Sequence, residues 1–141
     1  MGDKEENHLL REAVKRIIKV FNVKAIILFG SRARGDWGPW SDYDLLIIGD
    51  FRERYLDRLK RILDVIGDIP IPIEPHPYTM EEALSMLRRG SPTIVDALEE
   101  GVILYSTKDL ELLMEVYREL KRRGMRRTET TIIVPSSDDS S

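Results

Sequence analysis

Leu10, Val14, Ile17 and Phe21 recur at helical spacing with lysine and arginine between them, which predicts an amphipathic first helix. The run "KAIILFGS" follows, short, apolar and closed by Gly30, and reads as a buried strand. "DYDLLIIGD" has the same character and predicts a second strand. Asp50 with Glu53 forms a capping-box pattern ahead of Tyr55, Leu59, Ile62 and Ile66, so a helix is expected there, with Gly67 as its C-cap. Next, Ile69, Ile71 and Ile73 alternate with Pro70, Pro72 and Glu74. That period of two is a strand pattern, and its prolines place it at a sheet edge.

Thr79 with Glu82 is a second capping box and opens a helix ending near Gly90. Ser91-Pro92 is a third start signal, with proline at the first helical position. "GVILY" predicts a last short strand, and Ser106 with Asp109 caps a helix carrying Leu110, Leu113, Tyr117 and Leu120. The order αββαβααβα implies an α/β (α+β) fold: a mixed sheet of about four strands packed with helices, rather than regular βα alternation. Residues 1–124 are expected as one domain and 125–141 as a flexible tail, its Ser/Asp end disordered. "TTIIV" within that tail is left as either a strand or a partner contact.

Composition narrows the classes. The 141 residues suit a single core, and 33% charged with 42% apolar residues suits a water-soluble globule. A net charge of −3 argues against strong nucleic-acid binding. The absence of cysteine excludes disulfides, thiolate metal sites and thiol catalysis. The polar, acidic N-terminus is unlike a signal peptide, and the apolar runs are too short for a membrane span, so a cytoplasmic location is expected.

The chemistry concentrates in "FGSRARGDWGPWSDYDLLI". A Walker A loop fails because Gly35 is followed by Asp36 and Trp37, and neither GxGxxG nor the EF-hand series occurs. What remains is Gly30-Ser31, ten residues, then Asp42-x-Asp44. Alternate strand residues share a face roughly 6.6 Å apart, so these two carboxylates repel unless a cation lies between them. Mg²⁺ fits, because it takes one or two carboxylates plus substrate phosphates, and a two-ion site would activate a hydroxyl and stabilise leaving pyrophosphate. Gly30 allows close backbone approach to a phosphate, Ser31 offers a hydroxyl and an N–H, and Arg32 and Arg34 neutralise phosphate charge. Taken singly, D-x-D is also a turn former, and GSRARG also reads as a solvated loop.

The joint pattern resembles the minimal nucleotidyltransferases of the DNA polymerase beta-like superfamily, whose signature is Gly-Ser, ten residues, then Asp-x-Asp. The resemblance covers about residues 10 to 120. It implies a nucleotidyltransferase fold and attack of a metal-activated hydroxyl on the α-phosphate of a nucleoside triphosphate, ATP by family default. By the same likeness Asp42 and Asp44 hold the metals, and Gly30 and Ser31 the terminal phosphates, with Arg34 and then Arg32 as further phosphate contacts. A third carboxylate on a neighbouring strand is implied too: Glu74 is the candidate for catalysis and metal binding, with Asp68 behind it. His76 is read as an edge histidine that is able to reach metal or substrate, and His8 as a surface residue. Trp37 and Trp40 are candidates for stacking on a base, covering an acceptor or packing the loop. Tyr43 should face away from the aspartates. Such modules commonly work beside small helical HEPN-type proteins as antitoxins, which implies AMP transfer to a partner tyrosine. The alternative is a non-catalytic antitoxin that occludes a partner RNase. Transfer to a small-molecule hydroxyl would need an acceptor domain that this chain hardly has room for.

Overall fold

A computed structural model describes residues 2–135, and the Ser/Asp end expected to be disordered lies outside the described residues. The helix predicted from Leu10, Val14 and Ile17 is α1, Gly2–Val20, followed by β1, Val23–Phe29, and β2, Tyr43–Gly49. Between those strands a single helical turn, α2 (Ser31–Arg34), had no periodic signal in the sequence. Then come α3 (Tyr55–Ile66), β3 (Ile73–Tyr78), α4 (Met80–Arg88), α5 (Pro92–Glu100), β4 (Val102–Ser106) and α6 (Leu110–Arg122). Two short strands, β5 (Arg126–Arg127) and β6 (Ile132–Ile133), pair as a hairpin.

The sheet order is β3-β2-β1-β4, with β1 antiparallel to both β2 and β4, and β2 parallel to β3. This is the expected mixed sheet of four strands. Both faces are covered, which is why β1 and β2 read as unbroken apolar runs. Ile26, Leu28, Leu45 and Ile47 pack under α1 and α3 with Ile17, Ile62 and Ile66. Ile27, Phe29, Leu46 and Ile48 pack on the other side with Leu87, Ile94 and Leu113 from α4, α5 and α6.

The proline-rich segment does supply an edge strand, but that strand begins only at Ile73. Residues 69–72, expected within it, form turns closed by the Ile69 and Ile71 N–H groups on the carbonyls of Ile66 and Ile69 at 3.0 and 2.9 Å. Pro75 and Pro77 have no N–H, and the Pro77 carbonyl accepts from Arg58 Nη1 at 3.3 Å, so Arg58 covers part of the outer side. Arg58 is the one buried charged residue in the described core, and its fork meets Glu82 at 2.7 and 3.1 Å. Glu82 simultaneously completes the predicted capping box with Thr79.

Other start signals are corrected. Asp50 does not cap α3: it takes a bond from Asn22 at 2.6 Å and pairs with Lys24, and α3 begins later with Arg54 as N-cap. Ser106 ends β4, and Asp109 stands at the N-cap of α6 without a side-chain bond, after a turn in which Leu110 N–H donates to the Thr107 carbonyl. Gly67 is the C-cap of α3 as expected, in right-handed geometry. Ser91 stands at the N-cap of α5 without a side-chain bond, leaving Pro92 to set the start.

The segment expected as a free tail folds back as far as residue 135. Met125 is buried, and Ile132 and Val134 pack on the α4–α6 side of the core. Arg127 bonds Asp96 and Glu99 of α5 at 2.7 and 2.9 Å. The hairpin closes over Gly90, where an added Cβ would lie 2.9 Å from Val134 Cγ1.

Candidate active site

Three strand ends build the site. Phe29, at the end of β1, pairs with Asp44 near the start of β2, and Asp44 pairs with Glu74 on β3. Parallel register places these two carboxylates on the same face of neighbouring strands, where like charges repel. Gly30 turns the chain immediately beyond β1 with φ of +79°, and a Cβ there would stand 2.6 Å from Asp44 Oδ2. Gly30 is therefore required twice: for its backbone angle and for the space that Asp44 occupies. The chain then enters α2, with Ser31 half-buried at its first position.

His76, two residues after Glu74, joins the same face. Its Nε2 lies 3.2 Å from Asp44 Oδ1 and 3.4 Å from Glu74 Oε2, and Phe29 meets its ring edge-on at 5.0 Å. Asp44, Glu74 and His76 each offer a ligand atom, all within 4.8 Å of one another. Asp42 stands outside that group, exposed, and lines the adjoining groove with Glu74 and His76. A hydrogen bond with Asp44, then burial, raises the Glu74 pKa against the opposing effect of His76, and the charges of Asp44 and Asp42 add to the rise. Crowded carboxylates in this state fit a hard divalent cation, which would relieve the repulsion. Asp44 and Glu74 are the oxygen donors brought together, with the His76 imidazole as a third ligand, while Asp42 lines the groove outside that group.

The remaining candidates divide. Arg34 is exposed and pairs with the neighbouring Asp36 at 3.2 Å. The Arg32 side chain is only 6% exposed and points to the α1 side of the sheet. There it bonds Glu6 at 3.3 Å and the Ser41 carbonyl at 3.1 Å, with Trp37 and Tyr43 rings each 4.2 Å from its guanidinium. The structure thus draws Arg32 away from the carboxylates and uses it to hold the loop. Tyr43 is buried on that same side, as its parity with Asp44 predicted, and its hydroxyl donates to Glu6. Asp68, the second choice for the third carboxylate, pairs with Arg16 at 2.6 Å and takes no part. Trp40 is 83% exposed. That His76 faces Asp44 follows from the β2–β3 register and has no local signal in the sequence.

Residues 9–104 match the nucleotidyltransferase domain family. The chain belongs to that family. This nucleotidyltransferase is 36% identical over 84 residues to a Methanocaldococcus jannaschii protein provisionally named a protein adenylyltransferase, covering 59% of this chain and 79% of that one. It is also 31% identical over 81 residues, 56% of this chain, to the bifunctional uridylyltransferase/uridylyl-removing enzyme of Pseudomonas entomophila, but spans only 9% of that enzyme's length. Among solved structures, a provisionally assigned nucleotidyltransferase from Sulfolobus solfataricus shares the fold at a TM-score of 0.52 and 22% identity, over 72% of this chain and 80% of that one. A toxin–antitoxin structure with AMP-PNP aligns over 86% of this chain and 91% of that one at 16% identity, with a TM-score of 0.46. No helix among the described residues is long and apolar enough to cross a membrane.

Proposed function

We propose that this nucleotidyltransferase moves a nucleoside monophosphate, AMP from ATP, onto a hydroxyl of another protein. The observation that carries the reading is the register pair Asp44–Glu74 directly beside Gly30. That arrangement sets carboxylates against a turn whose backbone approaches a phosphate without obstruction. Family membership supports the chemistry, and the protein adenylyltransferase name of the M. jannaschii relative supports a protein acceptor.

In this reading Gly30 and Ser31 hold the β- and γ-phosphates, with Arg34 swinging in as a counter-charge. Asp42 and Asp44, joined by Glu74, hold divalent metal. Two Mg²⁺ ions bound there would acidify the attacking hydroxyl and neutralise charge on the leaving group. The hydroxyl oxygen forms a bond to the α-phosphorus, and the bond from that phosphorus to the bridging oxygen breaks, releasing pyrophosphate. Glu74 takes the hydroxyl proton. His76 orients Asp44 through its 3.2 Å contact. The loop's likeness to the minimal nucleotidyltransferases supports a tyrosine of a small helical HEPN-type protein as the acceptor, and a cytoplasmic setting goes with it.

The test is calorimetric titration of ATP with and without Mg²⁺ on wild type, Asp44→Asn and Glu74→Gln. Wild type should bind with a Mg²⁺-dependent increment that Asp44→Asn abolishes. Glu74→Gln should keep part of the binding and lose pyrophosphate release by about 10²-fold or more, as expected for removing a general base. Absence of Mg²⁺-dependent ATP binding by wild type would sink the reading.

A further inference from the structure

A groove of about 440 Å³ opens beside the carboxylates, walled by Tyr55, Leu59 and Leu63 of α3, by Pro72 just ahead of β3 and by Ile73 at its start. Asp42, Glu74 and His76 form its polar end. The leucines and the tyrosine fall at i, i+4 and i+8, so they make one stripe on α3. Leu63 is 45% exposed, an apolar side chain with no core to fill. Tyr55 rests against Tyr78, ring centroids 5.3 Å apart, and is a wall shared with a second hollow of about 480 Å³ over α4.

We infer that this groove between α3 and β3 is the docking site for the acceptor, a polypeptide segment whose hydroxyl residue is flanked by apolar side chains. The inference rests on the nucleotidyl-transfer reading above. In-line displacement puts the attacking oxygen and the leaving pyrophosphate on opposite sides of the α-phosphorus. Gly30 and Ser31 extend from β1, on one side of Asp44, so the pyrophosphate leaves on that side. Glu74 lies on the other side, on β3. The acceptor must therefore arrive over β3, and the groove is the concave surface there that ends at Glu74. Its long walls are leucine, proline, isoleucine and tyrosine, which suit apolar side chains and offer a sugar few hydrogen-bond partners.

The mode of docking is restricted as well. An extended peptide would ordinarily add to an open sheet edge by backbone pairing. Along β3 the outward positions include Pro75 and Pro77, which lack donors, and the Pro77 carbonyl already accepts from Arg58. Recognition must come from side chains laid into the groove rather than from a fifth strand.

The experiment measures binding of two short fluorescent peptides to the full chain, with Mg²⁺ and a non-hydrolysable ATP analogue present. Both carry a central tyrosine; one is flanked by leucine and isoleucine, the other by serine and aspartate. Variants are Leu63→Glu in the groove and Leu56→Glu, a 75% exposed leucine of α3 outside it. The apolar-flanked peptide should bind wild type and Leu56→Glu alike, and Leu63→Glu at least about ten-fold more weakly, the loss expected when one leucine contact is replaced by a charge. Affinity for Mg-ATP should be unchanged in both variants. Equal binding of the two peptides, or no effect of Leu63→Glu, overturns the inference. Weakened Mg-ATP binding by Leu63→Glu also overturns it, since the groove would then belong to the nucleotide. If the peptide binds as described but ATP does not bind, the groove stands and the transfer reading falls.

Discussion

Gly30 joins two demands that sequence motifs usually leave implicit. Its φ of +79° is one that side-chain-bearing residues rarely adopt, and its missing Cβ is what leaves Asp44 in place. Gly30→Ala should therefore cost about 1–2 kcal/mol in backbone strain. Its larger effect should be on Mg²⁺-dependent ATP affinity, because Asp44 must shift; thermal melts and nucleotide titrations on one preparation separate the two. The two arginines of the loop should also behave oppositely despite their adjacency in the motif. Arg32→Ala removes a buried guanidinium gripped by Glu6, Trp37 and Tyr43, and should lower stability by about 2 kcal/mol. Arg34→Ala should leave stability within about 0.5 kcal/mol of wild type and weaken binding of the triphosphate more than of AMP. If Arg34→Ala instead melts early and binds normally, its assignment to the phosphates fails.

Among the elements, α3, β3 and α4 are tied at one point, Arg58, and the tie titrates. The hydrogen bond from Arg58 holds the Glu82 pKa below the ordinary carboxylate range, with the N–H of Thr79 helping and burial opposing. A carboxyl whose folded pKa is depressed stabilises the fold above its unfolded pKa and loses that contribution as pH falls through the folded one. Wild type should exceed Glu82→Gln by about 1 kcal/mol at neutral pH, a modest figure because the Glu82 side chain is 44% exposed. The gap should close as pH drops below about 4; denaturant melts across that range check it, and a constant gap would show that the pair does not matter. The same elements show what a sequence does and does not reveal. Leu10, Val14 and Ile17 repeat on a helical period, so α1 was readable. The prolines mark an edge by chemistry alone, but Ile69 and Ile71 of the alternation that ends at Ile73 fall in the turns ahead of β3, whose bounds were not readable. Asp44 and Glu74 were readable as candidates. That His76 faces Asp44 depends on the β2–β3 register, and that Arg32 turns toward Glu6 depends on where α1 lies. Both are long-range facts with no local trace. The turn α2 is too short to show a period.

For the molecule as a whole, the hairpin after α6 is part of the fold rather than an appendage. Met125, Ile132 and Val134 carry no recognisable periodicity, which is why the sequence reads as a tail, yet they complete the face over α4 and α5. Ending the chain at Gly124 should cost about 3 kcal/mol, roughly one fully buried side chain and two partly buried ones. Urea denaturation of the shortened chain measures this, and an unchanged midpoint would mean that the hairpin only rests on the surface. The site has a different dependence on the whole. Gly30 follows β1 while Asp44 and Glu74 lie on β2 and β3, and those two carboxylates are brought together only by the parallel pairing of β2 with β3. A ribosome-bound chain that has released β1 and β2 but not β3 would carry the entire Gly-Ser…Asp-x-Asp signature without the second wall of the site. Competence for transfer would then wait for the release of β3, so a polypeptide carrying the signature alone could not use nucleotide on bystander hydroxyls.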